Sequence, residues 1–413
     1  MVFSGALGAQ AVIDLPAEDR VVSPAPEEVY RIGSFDGDDW ETFGEIGGVA
    51  FDAEGRLYVF DRQAGTVTRV GTDGRFLGTI GRPGEGPGEL RQPVAFSVLP
   101  DGRVVVADVG HRAYSIFAAD GAYQRSVSMG GGGTIRIGQF RPDPAGTGLI
   151  MGGGGNVTIS MSRGGPGGGG ADVGPAVRPV ERVDLSGAEV VVDTVVRGWQ
   201  PPRDDRPQAM SGGGMRFSMS AGPRTFEPDL HVGVLRDGIA WADSSTYTIR
   251  VAGMDGAVRR TLRRPIAPRP VTPAMQTAEK ARRLAEMEAG DGPQMRMIVA
   301  GPGGSRQAVA PEAMQEMMRG RIEEMEFYPE LPVIQRMTAG WGGTLWIERR
   351  GAEPTGDGPV DVVTADGRYV GTVPVGGMGI PDAFGPDGLA AFIETDEFDV
   401  PSVIVGRLPT ILR

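Results

Sequence analysis

The sequence contains no cysteine, which excludes disulfides, thiolate nucleophiles and cysteine-ligated zinc. Lys280 is its only lysine, Asn156 its only asparagine, and His111 and His231 its only histidines. Sites that need three imidazoles, or carboxamides from two asparagines, cannot be assembled from such a chain. No apolar run approaches the roughly eighteen residues of a membrane-crossing helix, so no membrane span is expected. Basic residues are outnumbered, 41 Lys and Arg against 53 Asp and Glu, for a net charge of −12. Phosphate backbones are held by clustered cations, so nucleic acid is not an expected partner. The acidic balance favours solubility, and a monomer is expected.

Glycine and proline are plentiful, 67 and 33 among 413 residues, as in a chain with many turns. Several of those turns recur in one context. Phe51-Asp52-Ala53-Glu54-Gly55-Arg56-Leu57-Tyr58-Val59-Phe60-Asp61 is echoed at Asp101-Gly102, Asp237-Gly238, Gly342-Gly343 and Asp387-Gly388, and more weakly at Asp143 to Gly146. Each copy reads as strand, tight turn, strand, with glycine supplying the positive φ of a hairpin. A second hairpin follows most copies, turning at Asp73-Gly74, Asp120-Gly121, Ser186-Gly187, Asp255-Gly256 and Asp366-Gly367. Two hairpins make four antiparallel strands, which is one propeller blade.

The blades are expected at about 44–81, 92–130, 136–196, 231–266, 332–377 and 380–409. The last lacks its second turn, and residues 28–35 have the character of the missing strand. The expected fold is therefore an all-β, six-bladed β-propeller closed by pairing of the N- and C-terminal strands, which leaves no sheet edge open. One propeller domain is expected over residues 12–413.

The N-terminus carries Ala9-Gln10-Ala11, the small-residue pattern that signal peptidase accepts. Residues 1–11 are read as the remnant of a signal peptide, which implies a periplasmic or extracellular protein. The other reading is an Ala/Gly-rich terminus without a targeting role.

The junction Ile80-Gly81-Arg82-Pro83-Gly84-Glu85-Gly86-Pro87-Gly88-Glu89-Leu90-Arg91-Gln92-Pro93, followed by a strand and Pro100-Asp101-Gly102-Arg103, resembles the blade junction of NHL-repeat proteins. It is similar in particular to the bacterial NHL-like six-bladed β-propeller family. The likeness is strongest over 44–130 and extends over 231–266 and 332–409. It lapses in the glycine-rich loop 152–178 and in an insertion at 267–331.

In such a blade, A–B and C–D turns share one face, while B–C and D–A connections share the other. All long segments here are of the second kind: 82–91, 152–178, 197–230, 267–331 and 349–358. Elaboration therefore collects on one face, which is expected to carry binding. The glycine-rich loop buries little side chain and is expected to contribute little to stability. The insertion should hold two helices, one opening at Thr272-Pro273 and running to about Glu288, the other from about Pro311. Met314, Met317, Met318, Ile322 and Met325 fall on one face of the second. That stripe is expected to dock on the propeller. A partner surface and a Cu(I) site are the other readings.

Propeller enzymes suggest what to seek at the axis. Lactonase-like propellers hold a divalent cation with Glu, Asp and two Asn. Gly44-Glu45-Ile46-Gly47-Gly48-Val49 resembles their Glu-bearing strand, but the asparagines are missing. Amidating-lyase propellers use three histidines, and only His111 and His231 exist here. Strictosidine-synthase-like propellers use an axial Glu without metal. The carboxylates ending each B strand, Asp61, Asp108, Asp243, Glu348 and Glu394, read as caps of a repeated turn. The candidate axial mouth is Glu45, His231, Arg336 and Asp382. The chain is read as a non-catalytic module for a protein, peptide or glycan, with hydrolase or lyase chemistry as the alternative. No cofactor and no tightly held axial metal are expected. Metal analysis after dialysis should find well under one ion per chain, and a chelator should leave the melting temperature unchanged.

Overall fold

The structure is a computed structural model. It describes residues 10–413 apart from 131–133, 138–139, 147, 153–156, 161–176, 203–207, 213–214, 220–223, 290–297, 301–305 and 309–310. Six sheets follow one another along the chain, each built on four antiparallel strands ordered A to D, and one of them carries a fifth. Blade one shows the pattern: Ile46–Phe51, Leu57–Asp61, Thr66–Val70 and Phe76–Ile80. Burial explains the composition of each position. Every residue of Leu57–Asp61 is buried, as is every residue of its equivalent in blade two, Val104–Asp108. A strand covered on both faces by neighbouring blades needs a continuous apolar run rather than an alternating one. The outermost strand Phe76–Ile80 is mostly exposed.

Six apolar clusters hold the ring, one at each interface between neighbouring blades. Phe60 and Val67 of blade one meet Val104 and Phe117 of blade two. Val105 and Ile116 of blade two meet Leu149 and Val183 of blade three. Ile150 and Val180 then meet Val232 and Ile239 of blade four, and Leu235 and Ile249 meet Leu345 and Val363 of blade five. Trp346 and Val362 meet Ala390 of blade six, and Ala391 and Val405 return to Val49 and Leu57 of blade one. The ring is closed, with six blades.

Closure comes from the expected pairing. Glu27–Ile32 lies antiparallel to Pro401–Arg407 as the fourth strand of blade six, with Glu27 opposite Arg407 and Ile32 opposite Val403. Sequence reasoning did not foresee what precedes it. Ala11–Asp14 adds a fifth strand to blade four, parallel to its outermost strand, with Ala11 opposite Arg260. Val21 then bridges Thr372 of blade five. Residues 11–32 thus run as a belt around the rim of three blades. Ala11, the last residue of the expected signal remnant, is part of this pairing, and residues 1–9 lie outside the described residues.

The belt is pinned by a buried ion network. Arg264, which follows the outer strand of blade four, has no exposed side-chain surface and lies 2.7 Å from Asp361 of blade five. It also reaches Asp19 at 2.6 Å and donates to the carbonyls of Pro16 and Glu18. Arg349 contacts the same two carboxylates, at 2.7 Å and 3.3 Å.

The insertion contains both expected helices, α1 at Pro273–Ala289 and α2 at Pro311–Glu323. Thr272 caps α1 through its hydroxyl, 3.3 Å from the Met275 amide, with proline at the first helical position. Lys280 donates to the Glu323 carbonyl at the end of α2, and Arg319 pairs with Glu288. The described part of the methionine stripe, Met318, Ile322 and Met325, is half-buried, and α2 packs along α1. The side chains of Met314 and Met317 lie outside the described residues, as does most of the loop 152–178.

Replacing Arg264 by Met removes one partner from Asp361 and frees the belt. Breaking a buried pair in this way costs about 3–5 kcal/mol. Denaturant unfolding should show that loss; a loss below about 1 kcal/mol would mean that Arg349 alone suffices.

Candidate functional site

The repeated carboxylates of the B strands organise the loop-rich face. Asp61 accepts from the amides of Gly44 and Ala64, at 2.8 and 2.9 Å. Asp108 accepts from Arg91 and Gln92, at 2.8 and 2.9 Å, and from Gly110 and His111. Each therefore ties the segment entering its own blade to the B–C turn. Burial disfavours charge on Asp108, yet these amides and the His111 ring hold its carboxyl below the usual range. His111 lies with Nδ1 2.8 Å from Asp108, and Glu85 stands 3.3 Å from Nε2. Asp243 accepts from the Trp199 amide at 2.7 Å and pairs with Arg250. Glu348 accepts from Gly358 at 3.3 Å. Glu394 departs from the pattern, exposed and paired with Arg31.

The four residues of the candidate mouth separate into three settings. Glu45 is exposed and pairs with Arg62 at 2.8 Å. Arg336 and Asp382 come together. Arg336 donates to the Ile380 carbonyl at 2.8 Å and stands 3.9 Å from Glu348. Burial disfavours charge on Arg141 of blade three, and the positive charge of Arg336 adds to this. Asp382 is exposed and accepts from the Ile393 amide at 2.7 Å. Its carboxyl is raised by desolvation, with the Ile393 amide and Arg336 acting in the opposite direction.

His231 belongs to a different place. It begins strand A of blade four and lines a cavity of about 540 Å³, where the insertion meets the propeller. The walls come from residues 224–229, from α1, from Gln335 of strand A and from Arg350 and Thr355 after strand B of blade five. The seam is tied by backbone bonds from Thr225 to Glu326 and from Tyr328 to Thr225, and by Phe226 against Phe327 at 5.8 Å. Arg269, leading into α1, donates to the carbonyls of Gly351 and Ala352.

Five guanidinium groups and three carboxylates line this cavity. Glu279 of α1, buried at 5% exposure, takes both Arg282 and Arg283 at 2.8 Å. Glu227 takes Arg224 and Asp229 takes Arg178, each at 3.3 Å. Arg350 has no carboxylate partner among the described residues. Its Nη1 donates to the Pro354 carbonyl at 2.5 Å, its carbon centre stands 5.9 Å from the Phe226 ring, and its Nε is buried without a hydrogen-bond partner. Gln335 gives its amide nitrogen to the Gly356 carbonyl and leaves Oε1 buried and unpartnered. Burial holds His231 below 6.5; Asp229 opposes this, and Arg350 and Arg178 add to it. The ring is therefore neutral at physiological pH.

Sequence reasoning singled out His231 but missed Arg350, Gln335 and the residues of 224–229. Its available signal was Arg349-Arg350 directly after a buried strand, where the fold leaves little room for two solvated cations. Among the described residues, no three His, Cys, Asp or Glu side chains are grouped to hold a metal ion.

No protein-family profile and no curated protein matches this chain. Solved structures do resemble it in fold. A Bacteroides fragilis protein described as putatively exported is 10% identical, with 97% of this chain and 100% of that one covered, at a TM-score of 0.49. A DUF4221 family member from Bacteroides vulgatus is also 10% identical, with 95% and 99% covered, at 0.49. Virginiamycin B lyase from Staphylococcus aureus is 11% identical, with 91% and 98% covered, at 0.36. Similarity this distant concerns architecture alone.

The shift at His231 gives a signed prediction. Its folded pKa lies below the unfolded value near 6.5. As pH falls through 6.5, the unfolded chain takes up a proton that the folded chain does not, so stability falls. Between pH 7.5 and 5.5 the wild type should lose more thermal stability than His231→Gln. Equal losses would show that the imidazole is not held neutral.

Proposed function

We propose that this chain is an exported, NHL-like propeller that binds a protein, peptide or glycan on its loop-rich face without converting it. One observation carries the reading: a cavity of about 540 Å³ sits where three long connections of that face meet. Its size is that of a small-ligand pocket. Its polar groups are held by ion pairs and backbone bonds, which favours binding by limiting the ordering cost. The A-x-A pattern at Ala9 to Ala11 supports export.

Acid/base hydrolase or lyase chemistry is a second reading, supported by Asp382. A carboxyl raised by its surroundings, with Arg336 nearby, is a candidate proton donor.

Peptide and glycan arrays probed with the purified chain test the first reading. Thr355→Trp places an indole at the exposed rim of the cavity and should weaken any ligand at least about tenfold. Trp341→Ala, in the A–B turn of blade five on the opposite face, should leave affinity unchanged. The reverse pattern would overturn the assignment of the face. Mass spectrometry should find the ligand intact after incubation; conversion that Asp382→Asn abolishes would establish the second reading instead.

A further inference from the structure

The cavity holds two unmet demands of opposite kind. Among the described residues, the Arg350 Nε–H has no acceptor and the Gln335 Oε1 has no donor. They stand on adjacent strands of one hairpin: Ile334 is registered opposite Arg349, and the Arg350 amide bonds to the Val333 carbonyl at 2.8 Å. Leaving a buried polar group unpaired is costly, and a charged one more so. None of the three carboxylates of the wall pairs with Arg350; each is engaged by another arginine. Arg350 uses Nη1 on Pro354, which leaves the edge formed by Nε and Nη2. Guanidinium edges of that kind take a carboxylate through two parallel hydrogen bonds.

We propose that the cavity receives the carboxy-terminal end of a peptide, with its carboxylate on Arg350 and its last amide N–H on Gln335. This rests on the cavity being the binding site of the loop-rich face. A peptide terminus carries an acceptor pair and a donor a few ångströms apart, which is the complement of these two side chains. The surplus of guanidinium over carboxylate in the wall favours an anion, although the whole chain is acidic. Phe226 and Pro228 provide the apolar surface for a terminal side chain. His231, uncharged, adds no competing cation.

The test uses N-acetyl-Ala-Ala-Ala as the free acid and as the carboxamide, with digalacturonate as a carbohydrate carboxylate, each titrated calorimetrically into the full-length chain. The acid should bind, and the carboxamide should bind at least about tenfold more weakly, the scale of one charge-assisted hydrogen bond. Arg350→Gln should erase the difference between acid and carboxamide, and Arg350→Lys should restore only part of it. If Arg350→Gln does not fold, Gln335→Glu decides the matter: a second carboxylate there should weaken the acid far more than the carboxamide. No binding of the acid at millimolar concentration, equal affinity for acid and carboxamide, or variants that leave the ratio unchanged would overturn the proposal. Digalacturonate binding more tightly than the acid would assign the site to carbohydrate and overturn it as well. Neutral array ligands lost in Thr355→Trp would sink this inference while leaving the binding face in place.

Discussion

A propeller built from one chain has a seam, and here residues 11–32 close it. Blade six has three strands of its own, and Glu27–Ile32 supplies the fourth. Without that pairing, Pro401–Arg407 would present an open edge, and the cluster of blade six with blade one would lose Ile32. The belt leading to this strand is held at Asp19 by two arginines that also clamp Asp361. Arg264 and Asp361 are fully buried, and a buried charge that loses its partner is strongly destabilising. Closure is therefore coupled to one ion network lying between blades four and five and the chain terminus.

Much of the ring was legible in the sequence because its signals are local. The Asp-Gly turns between apolar runs, such as Asp52 to Gly55 and Asp101-Gly102, mark hairpins by their own chemistry. Gly55 and Gly102 have φ of 82° and 81°, which other residues rarely adopt. Thr272-Pro273 announces α1 in the same local way. The belt was not legible. Ala11–Asp14 is four residues long and pairs in parallel with a strand some 250 positions away, so no turn beside it signals a partner. Its Ala-rich approach also fits a processing signal, and the two readings compete for the same residues.

The cavity was harder still to foresee. His231 attracts notice because histidine is rare in this chain, whereas Arg350 is one of many arginines and looks like solvated surface charge. Its character arises from tertiary packing: it shares a cavity with α1 and residues 224–229, Phe226 stands near its guanidinium, and the carboxylates of that cavity pair with other arginines. Arg336 and Asp382, placed beside His231 at one mouth by sequence reasoning, lie near each other instead, outside the lining of the His231 cavity. The repeat positions strand starts accurately but not the direction of long side chains, and insertion and propeller together decide which of those side chains share a space.

The account rests on the seam between insertion and propeller being where this protein meets its ligand. Hydrogen–deuterium exchange of the full chain, with and without saturating N-acetyl-Ala-Ala-Ala, tests that claim most directly. Slower exchange on binding is expected in 224–231, in α1 and in 349–358, with the opposite face around 340–344 and 385–388 unchanged. Slowing confined to that opposite face, or to residues 380–384 and 140–142, would contradict it.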